Sequence, residues 1–230
     1  MSIPHLSSKN AGQITPMLPE NIILIDKPKG ITSFDVIRAL RRKMNIRKMG
    51  HAGTLDPLAT GLMIIGINEG TKKLSEYLKL PKTYDAEILF GIKTDSGDVD
   101  GKIIEEKTIL PLKKEKIKDA LHQMIGKRKI QAPMYSALKV AGKPLYAYAR
   151  AGDTSVTAPE KEMEVRVIEF LGERNEEQHQ IISVRMDVSS GTYVRSIAEE
   201  IGKVLGVPAT IKNLRRIRIG EFTIEQAEKI

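Results

Sequence analysis

The chain has no cysteine and no tryptophan, and only 4% of its 230 residues are aromatic. Without cysteine there are no disulfides, no thiolate-held zinc, no iron–sulfur cluster and no thiol nucleophile. The four histidines, His5, His51, His122 and His179, show neither HxH nor HExxH spacing, so no metal and no metal cofactor are expected. No apolar run approaches the roughly 18–20 residues that cross a bilayer, so no membrane partner is expected. The opening MSIPHLSSKNAGQITPMLPE lacks the basic start and apolar core of a secretory leader. Residues 1–20 read as a poorly ordered tail, residues 21–230 as one domain, and the protein as cytoplasmic.

Two short stretches fall short of known ligand loops. Ser96-Gly-Asp98-Val-Asp100-Gly101 has Ser where a calcium loop begins with Asp, and Lys107 where it ends with Glu. It reads as an acidic turn between strands. Gly66-Ile-Asn-Glu-Gly70-Thr-Lys72 lacks the spacing of a phosphate-cradling loop, so no nucleotide cofactor is expected.

Positive charge is what the chain has in excess. Its net charge is +8, with 41% apolar and 29% charged residues. The apolar share is enough for a buried core, and the basic excess points to a polyanionic partner. The basic residues cluster. Arg38, Arg41, Arg42, Lys43, Arg47 and Lys48 form one group, Lys127, Arg128 and Lys129 a second, and Lys212, Arg215, Arg216 and Arg218 a third. Of these, Arg38, Arg41, Arg42, Arg47, Lys48, Lys127, Arg128, Arg215 and Arg216 are the candidates for contact with a nucleic-acid backbone.

Periodicity predicts strands over 21–25, 84–90 and 182–188, and helices from Thr32 or Ser33, over 114–125 and over 193–205. Strands and helices interleave without a regular βαβ rhythm, which predicts a mixed sheet with helices packed on it.

One segment stands apart: Gly50-His51-Ala52-Gly53-Thr54-Leu55-Asp56-Pro57-Leu58-Ala59-Thr60-Gly61, a single acid in a glycine- and threonine-rich turn. It resembles the signature of the pseudouridine synthases, in particular the TruB family of bacterial tRNA pseudouridine-55 synthases. Further segments are similar to that family in the same order. They are Asp26-Lys-Pro-Lys-Gly30, Lys82-Thr-Tyr84, Phe90-Gly-Ile-Lys-Thr-Asp95, Pro133-Met-Tyr-Ser-Ala-Leu-Lys139, Gly191-Thr-Tyr-Val-Arg195 and Leu214-Arg-Arg216. The blocks span residues 21–222. Ala52 stands where relatives more often carry Thr or Gly. Many relatives continue into a C-terminal RNA-binding domain of PUA type; with the sequence running to Ile230, none is expected here.

The resemblance implies an α+β pseudouridine synthase fold, with a mixed, mostly antiparallel central sheet flanked by helices. It implies an isomerase acting on the T-arm of tRNA, without a cofactor; we expect a monomer. It implies Asp56 as nucleophile, Arg195 as its basic partner and Tyr84 as a third active residue. Tyr84, Tyr193, His51 and Leu214 are implied around the substrate, and Lys27 and Pro28 in the loop beneath. The chemistry suits a lone carboxylate. Breaking the N1–C1′ bond of uridine leaves C1′ electron-poor, and an acid at the sugar can stabilise or capture it. A uridine folded into tRNA must first be extruded, at a cost that base stacking and phosphate contacts offset. Two rival readings keep the same residues: a non-catalytic RNA-binding or tRNA-folding protein on this scaffold, and a nucleoside-cleaving hydrolase.

Overall fold

In the computed structural model, which describes residues 18–230, the chain enters at β1 (Ile22–Lys27) and passes to α1 (Ser33–Met44). All but the last three residues of the expected tail lie outside the described residues. Short β2 (Met49–His51) leads through the Asp56 segment to β3 (Thr60–Ile67), α2 (Leu74–Lys79) and β4 (Lys82–Phe90). A hairpin of β5 (Ile92–Thr94) and β6 (Ile103–Glu106) precedes α3 (Lys114–Gln123) and β7 (Gly126–Gln131). A small lobe follows, with β8 (Lys139–Val140), β9 (Lys143–Pro144) and α4 (Leu145–Arg150). Long β10 (Glu160–Glu176) and β11 (His179–Val188) then run to α5 (Val194–Leu205), β12 (Ala209–Ile219), β13 (Phe222–Thr223) and β14 (Glu228–Lys229).

One sheet carries the fold, in the order β14-β1-β3-β12-β4-β11-β10-β7, with β13 on β12 and β2 on β3. Only β1–β14 and β3–β12 are parallel, so the sheet is mixed and mostly antiparallel. Both faces of its centre are covered. On one face Val36, Ile37 and Leu40 of α1 and Ile197 and Ile201 of α5 pack with Met63 and Ile65. On the other, Leu62 and Ile64 meet Ile22, Leu24, Tyr77 and Phe222. This is why Leu62–Ile65 is a continuous apolar run rather than an alternating one: a strand buried on both sides has no polar phase.

Helix ends follow local chemistry. Thr32 caps α1 in a reciprocal box with Asp35, whose carboxylate accepts from the Thr32 amide at 2.8 Å. The helix expected over 114–125 stops at Gln123, and Gly126 at φ +107° turns the chain into β7. The helix expected from Tyr193 starts one residue later, with Tyr193 as its N-cap.

Candidate active site

Asp56 lies in the loop between β2 and β3, and four separate groups tie that loop down. The Ser33 hydroxyl donates to the Leu55 carbonyl at 2.9 Å and accepts from the Leu55 amide at 2.8 Å. The Gly30 amide and the Lys27 ammonium both donate to the Pro57 carbonyl, at 2.8 and 3.3 Å. Arg216 donates through Nη2 to the Gly53 carbonyl at 3.1 Å. Gly53 itself sits at φ +101°, a conformation costly for any residue with a Cβ. The carboxylate is thus delivered by a loop whose every flank is bonded to a rigid element.

Arg195, the second residue of α5, reaches Asp56 with Nη2 at 3.0 Å from Oδ2. Its side chain is 5% exposed, against 37% for Asp56. Arg195 also donates to the carbonyls of Ser96 and Tyr135, the latter at 2.8 Å. A second carboxylate, Asp98, stands 4.0 Å from Arg195 Nε. Asp98 is buried and accepts from the Ser96 hydroxyl at 2.7 Å. Desolvation raises the Asp56 pKa above its ordinary value, Arg195 opposes that, and Asp98 reinforces it. The guanidinium, shared between two acids, is what favours the ionised Asp56.

These groups open into a cavity of about 400 Å³, within the ~300–1,000 Å³ of small-ligand sites. Its lining includes Asp56, Tyr84, Tyr193, Arg195, Leu214 and Arg216. The central strands explain the convergence. Register places Tyr84 of β4 opposite Arg216 of β12, and Arg216 opposite Gly61 of β3. Tyr84 is 8% exposed, and so is Leu214. Tyr193 stands at the start of α5, with Lys161 over its ring at 5.6 Å. A wider cleft of about 700 Å³ adjoins the other side of Asp56 and holds His51, Phe34, Tyr146 and Arg150. Burial and the nearby Arg216 lower the His51 pKa, so its imidazole is neutral near pH 7. Of the residues the sequence pointed to as catalytic or substrate-binding, Asp56, Tyr84, Tyr193, Arg195 and Leu214 line one cavity. His51 lies beside it.

The basic clusters fare differently. Arg216, expected among the surface contacts to a nucleic-acid backbone, is 1% exposed and turned into the cavity. Strand phase is the reason: Leu214 and Arg216 share one face of β12, while Arg215 takes the other and pairs with Asp26 at 2.8 Å. Arg38 pairs with Asp35, Lys48 with Glu69 at 3.2 Å, and Lys127 with Glu162 at 3.2 Å. Arg41 donates to the Met49 carbonyl at 3.1 Å, and Arg128 to that of Gln123. Arg42 and Arg47 are exposed. Sequence reasoning missed Lys82, buried in the same cavity and held to a pKa of about 8 by burial and Arg216. A signal was there. Lys82 occupies the inward phase of β4 with Tyr84, Ala86, Ile88 and Phe90. Asp98 gave no comparable signal, because only the β5–β6 turn brings it to Arg195.

A sequence model of the TruB family pseudouridylate synthase, N-terminal domain, matches residues 41–194. The chain belongs to the TruB family. A tRNA pseudouridine synthase B of Endomicrobium trichonymphae is 41% identical over 208 residues, 90% of this chain and 88% of that protein. Another of that name, from Xanthomonas oryzae pv. oryzae, is 42% identical over 205 residues, covering 89% of this chain and 65% of the longer protein. A crystal structure of a Cbf5–Nop10–Gar1 complex superposes with a TM-score of 0.68 at 26% identity, over 91% of this chain. An H/ACA RNP bound to a substrate RNA containing 2′-deoxyuridine gives 0.65 at 25% identity, over 90%. The chain spans about half the length of those two solved chains, 52% and 50%. The fold is therefore that of the pseudouridine synthases, and the TruB-family chain is an isomerase of that class.

Proposed function

We propose that the chain converts the T-loop uridine at position 55 of tRNA to pseudouridine, with Asp56 as the nucleophile. The observation that carries this reading is the Asp56–Arg195 pair, 3.0 Å apart, in a cavity lined by Tyr84, Tyr193 and Leu214. The relatives named tRNA pseudouridine synthase B support tRNA as the substrate. The target uridine is extruded from the folded T-arm and enters the cavity base first. Tyr84 supplies a face for stacking, and Leu214 borders the base. Asp56 meets the sugar side of the nucleotide, where C1′ becomes electron-poor as the N1–C1′ bond opens. Arg195 orients the carboxylate and keeps it charged. His51, neutral and beside the cavity, contacts the RNA next to the extruded nucleotide.

Mapping pseudouridine in an unmodified tRNA transcript incubated with the protein tests this, with Asp56→Asn in parallel. The expected result is product at the T-loop uridine, lost in the variant. RNA binding without product from either protein would favour the non-catalytic reading, and released uracil would favour a hydrolase.

A further inference from the structure

Two cations of the cavity take no part in the Asp56–Arg195 pair. Lys82 and Arg216 are 5% and 1% exposed, and both line it. They share a neighbourhood by construction: Arg216 is in register with Tyr84, and Lys82 precedes Tyr84 by two residues on the same face of β4. Their hydrogen-bond partners are all carbonyls. Lys82 Nζ donates to Leu78 and Leu80, both at 2.6 Å. Arg216 donates through Nε to Leu62 at 2.7 Å and through Nη2 to Gly53 at 3.1 Å. An ammonium has three N–H donors and a guanidinium five, so each keeps donors that these carbonyls do not use. Carbonyl dipoles soften the burial of a charge without cancelling it, and a buried cation lacking a counter-ion is costly. Among the lining residues four cations, Lys82, Lys161, Arg195 and Arg216, stand against the single carboxylate Asp56. The cavity holds positive charge in waiting.

We propose that Lys82 and Arg216 form an anion subsite for the base, holding the negative charge that uracil acquires during isomerisation. The inference rests on the reading of this cavity as the place where Asp56 acts on a uridine. When N1–C1′ breaks, its electron pair stays on the base and spreads onto O2 and O4, while C1′ is taken by an Asp56 oxygen. After the base turns, C5 bonds to C1′ and the Asp56 oxygen leaves with its electron pair. C5 loses its proton and N1 gains one, so the product is an isomer and no co-reactant is needed. The assignment is independent of the order of steps. Addition of Asp56 to the base, or loss of a sugar proton before the base departs, also places negative charge on the uracil oxygens. Donors fixed in a water-poor site where charge develops are the commonest large source of rate enhancement. Depth favours the base over a phosphate as the occupant. The ribose–phosphate backbone remains at the mouth, whereas Arg216 and Lys82 are almost wholly enclosed.

The subsite has a pH signature. Lys82 lines the cavity together with Arg216 of β12, Arg195 of α5, Lys161 of β10, Asp56 and its own-strand neighbour Tyr84, and burial with the nearby Arg216 lowers its pKa to about 8. It is charged at neutral pH and loses its charge just above. The experiment uses the full chain and a T-arm stem-loop RNA with one target uridine, comparing Lys82→Met and Lys82→Arg with the parent. Single-turnover rate at saturating RNA, RNA Kd by filter binding and thermal melting are read for each. The expected result is a saturating rate about 10²-fold lower in Lys82→Met, with Kd within about threefold. The parent's rate falls above about pH 8, and Lys82→Arg keeps the rate while that basic limb becomes shallower, only Lys27 still titrating there. An unchanged rate in Lys82→Met, or a loss confined to Kd as for a phosphate contact, overturns the proposal. So does a basic limb whose slope and midpoint are both unchanged in Lys82→Arg, since Lys27, also lowered to about 8, accounts only for the part that remains; this decides the matter alone if Lys82→Met does not fold. Absence of product from the parent protein would instead overturn the T-loop uridine reading itself.

Discussion

At Asp56 two opposing effects set the charge: desolvation raises the pKa, and the Arg195 guanidinium at 3.0 Å pulls it down. In its proposed role as nucleophile Asp56 must be ionised, so the rate is expected to fall on the acid side with an apparent pKa above the ordinary carboxylate value of about 3.8. Arg195→Met removes the larger lowering contribution and leaves desolvation, Asp98 and the smaller effect of Lys27 in place. Its acid limb therefore moves to higher pH, and its rate at neutral pH drops by at least about tenfold. Single-turnover rates across the acid range check both the shift and its direction; a limb that stays put would show that Lys27 or water, not Arg195, keeps Asp56 ionised. Lys27 belongs to the same balance: burial lowers its pKa to about 8, and Asp56 opposes that shift. Its ammonium is committed to the carbonyls of Pro28, Ile31 and Pro57, which suits a clamp on the loop rather than a reactant.

At the scale of elements, the site depends on how closely β3 approaches β12. Gly61 sits at φ +107°, and a Cβ there would lie 2.2 Å from the Arg216 carbonyl oxygen. That contact is with backbone, which cannot swing aside as a side chain can. Gly61→Ala therefore forces the two strands apart where Arg216 is held in place. We expect a loss of stability greater than about 1 kcal/mol, read as a lower denaturant midpoint. Catalysis falls further than stability alone explains, because Arg216 and the Asp56 loop move together. The sequence made parts of this scale legible. The phase of β4 was readable from Tyr84, Ala86, Ile88 and Phe90, and the capped start of α1 from Thr32 and Asp35. The end of α3 at Gln123 and the inward turn of Arg216 were not, since the first depends on a terminal turn and the second on which face of β12 meets β3 and β4.

Over the whole molecule, the net charge of +8 is spread more evenly than the linear clusters indicate. Arg38, Lys48, Lys127 and Arg215 each have a carboxylate partner brought in by the fold. Such exposed pairs add little to stability, but they reduce the field offered to RNA. Binding is expected to weaken steeply with salt, by about 10³-fold or more between ~50 and ~200 mM if six or more phosphates are neutralised. Arg42→Glu combined with Arg47→Glu should weaken RNA binding and flatten the salt slope by about one unit per lost contact. Lys48→Ala, at a position already engaged with Glu69, should do less. Filter binding across a salt series separates the cases; equal slopes for all three proteins would remove this face from the RNA interface.

What the sequence determined by itself was local or periodic: the lone Asp56 in its turn, the tyrosine phase of β4, and the ordered blocks that identify the family. Those features survive in one dimension because turn chemistry and side-chain alternation act over a few residues. What only the tertiary structure decided was which groups meet. The sheet order β3-β12-β4 brings Gly61, Arg216 and Tyr84 side by side, and α5 delivers Arg195 to Asp56 and Asp98. Partners of that kind are set by strand order and helix packing between distant segments, and no spacing along the chain encodes them.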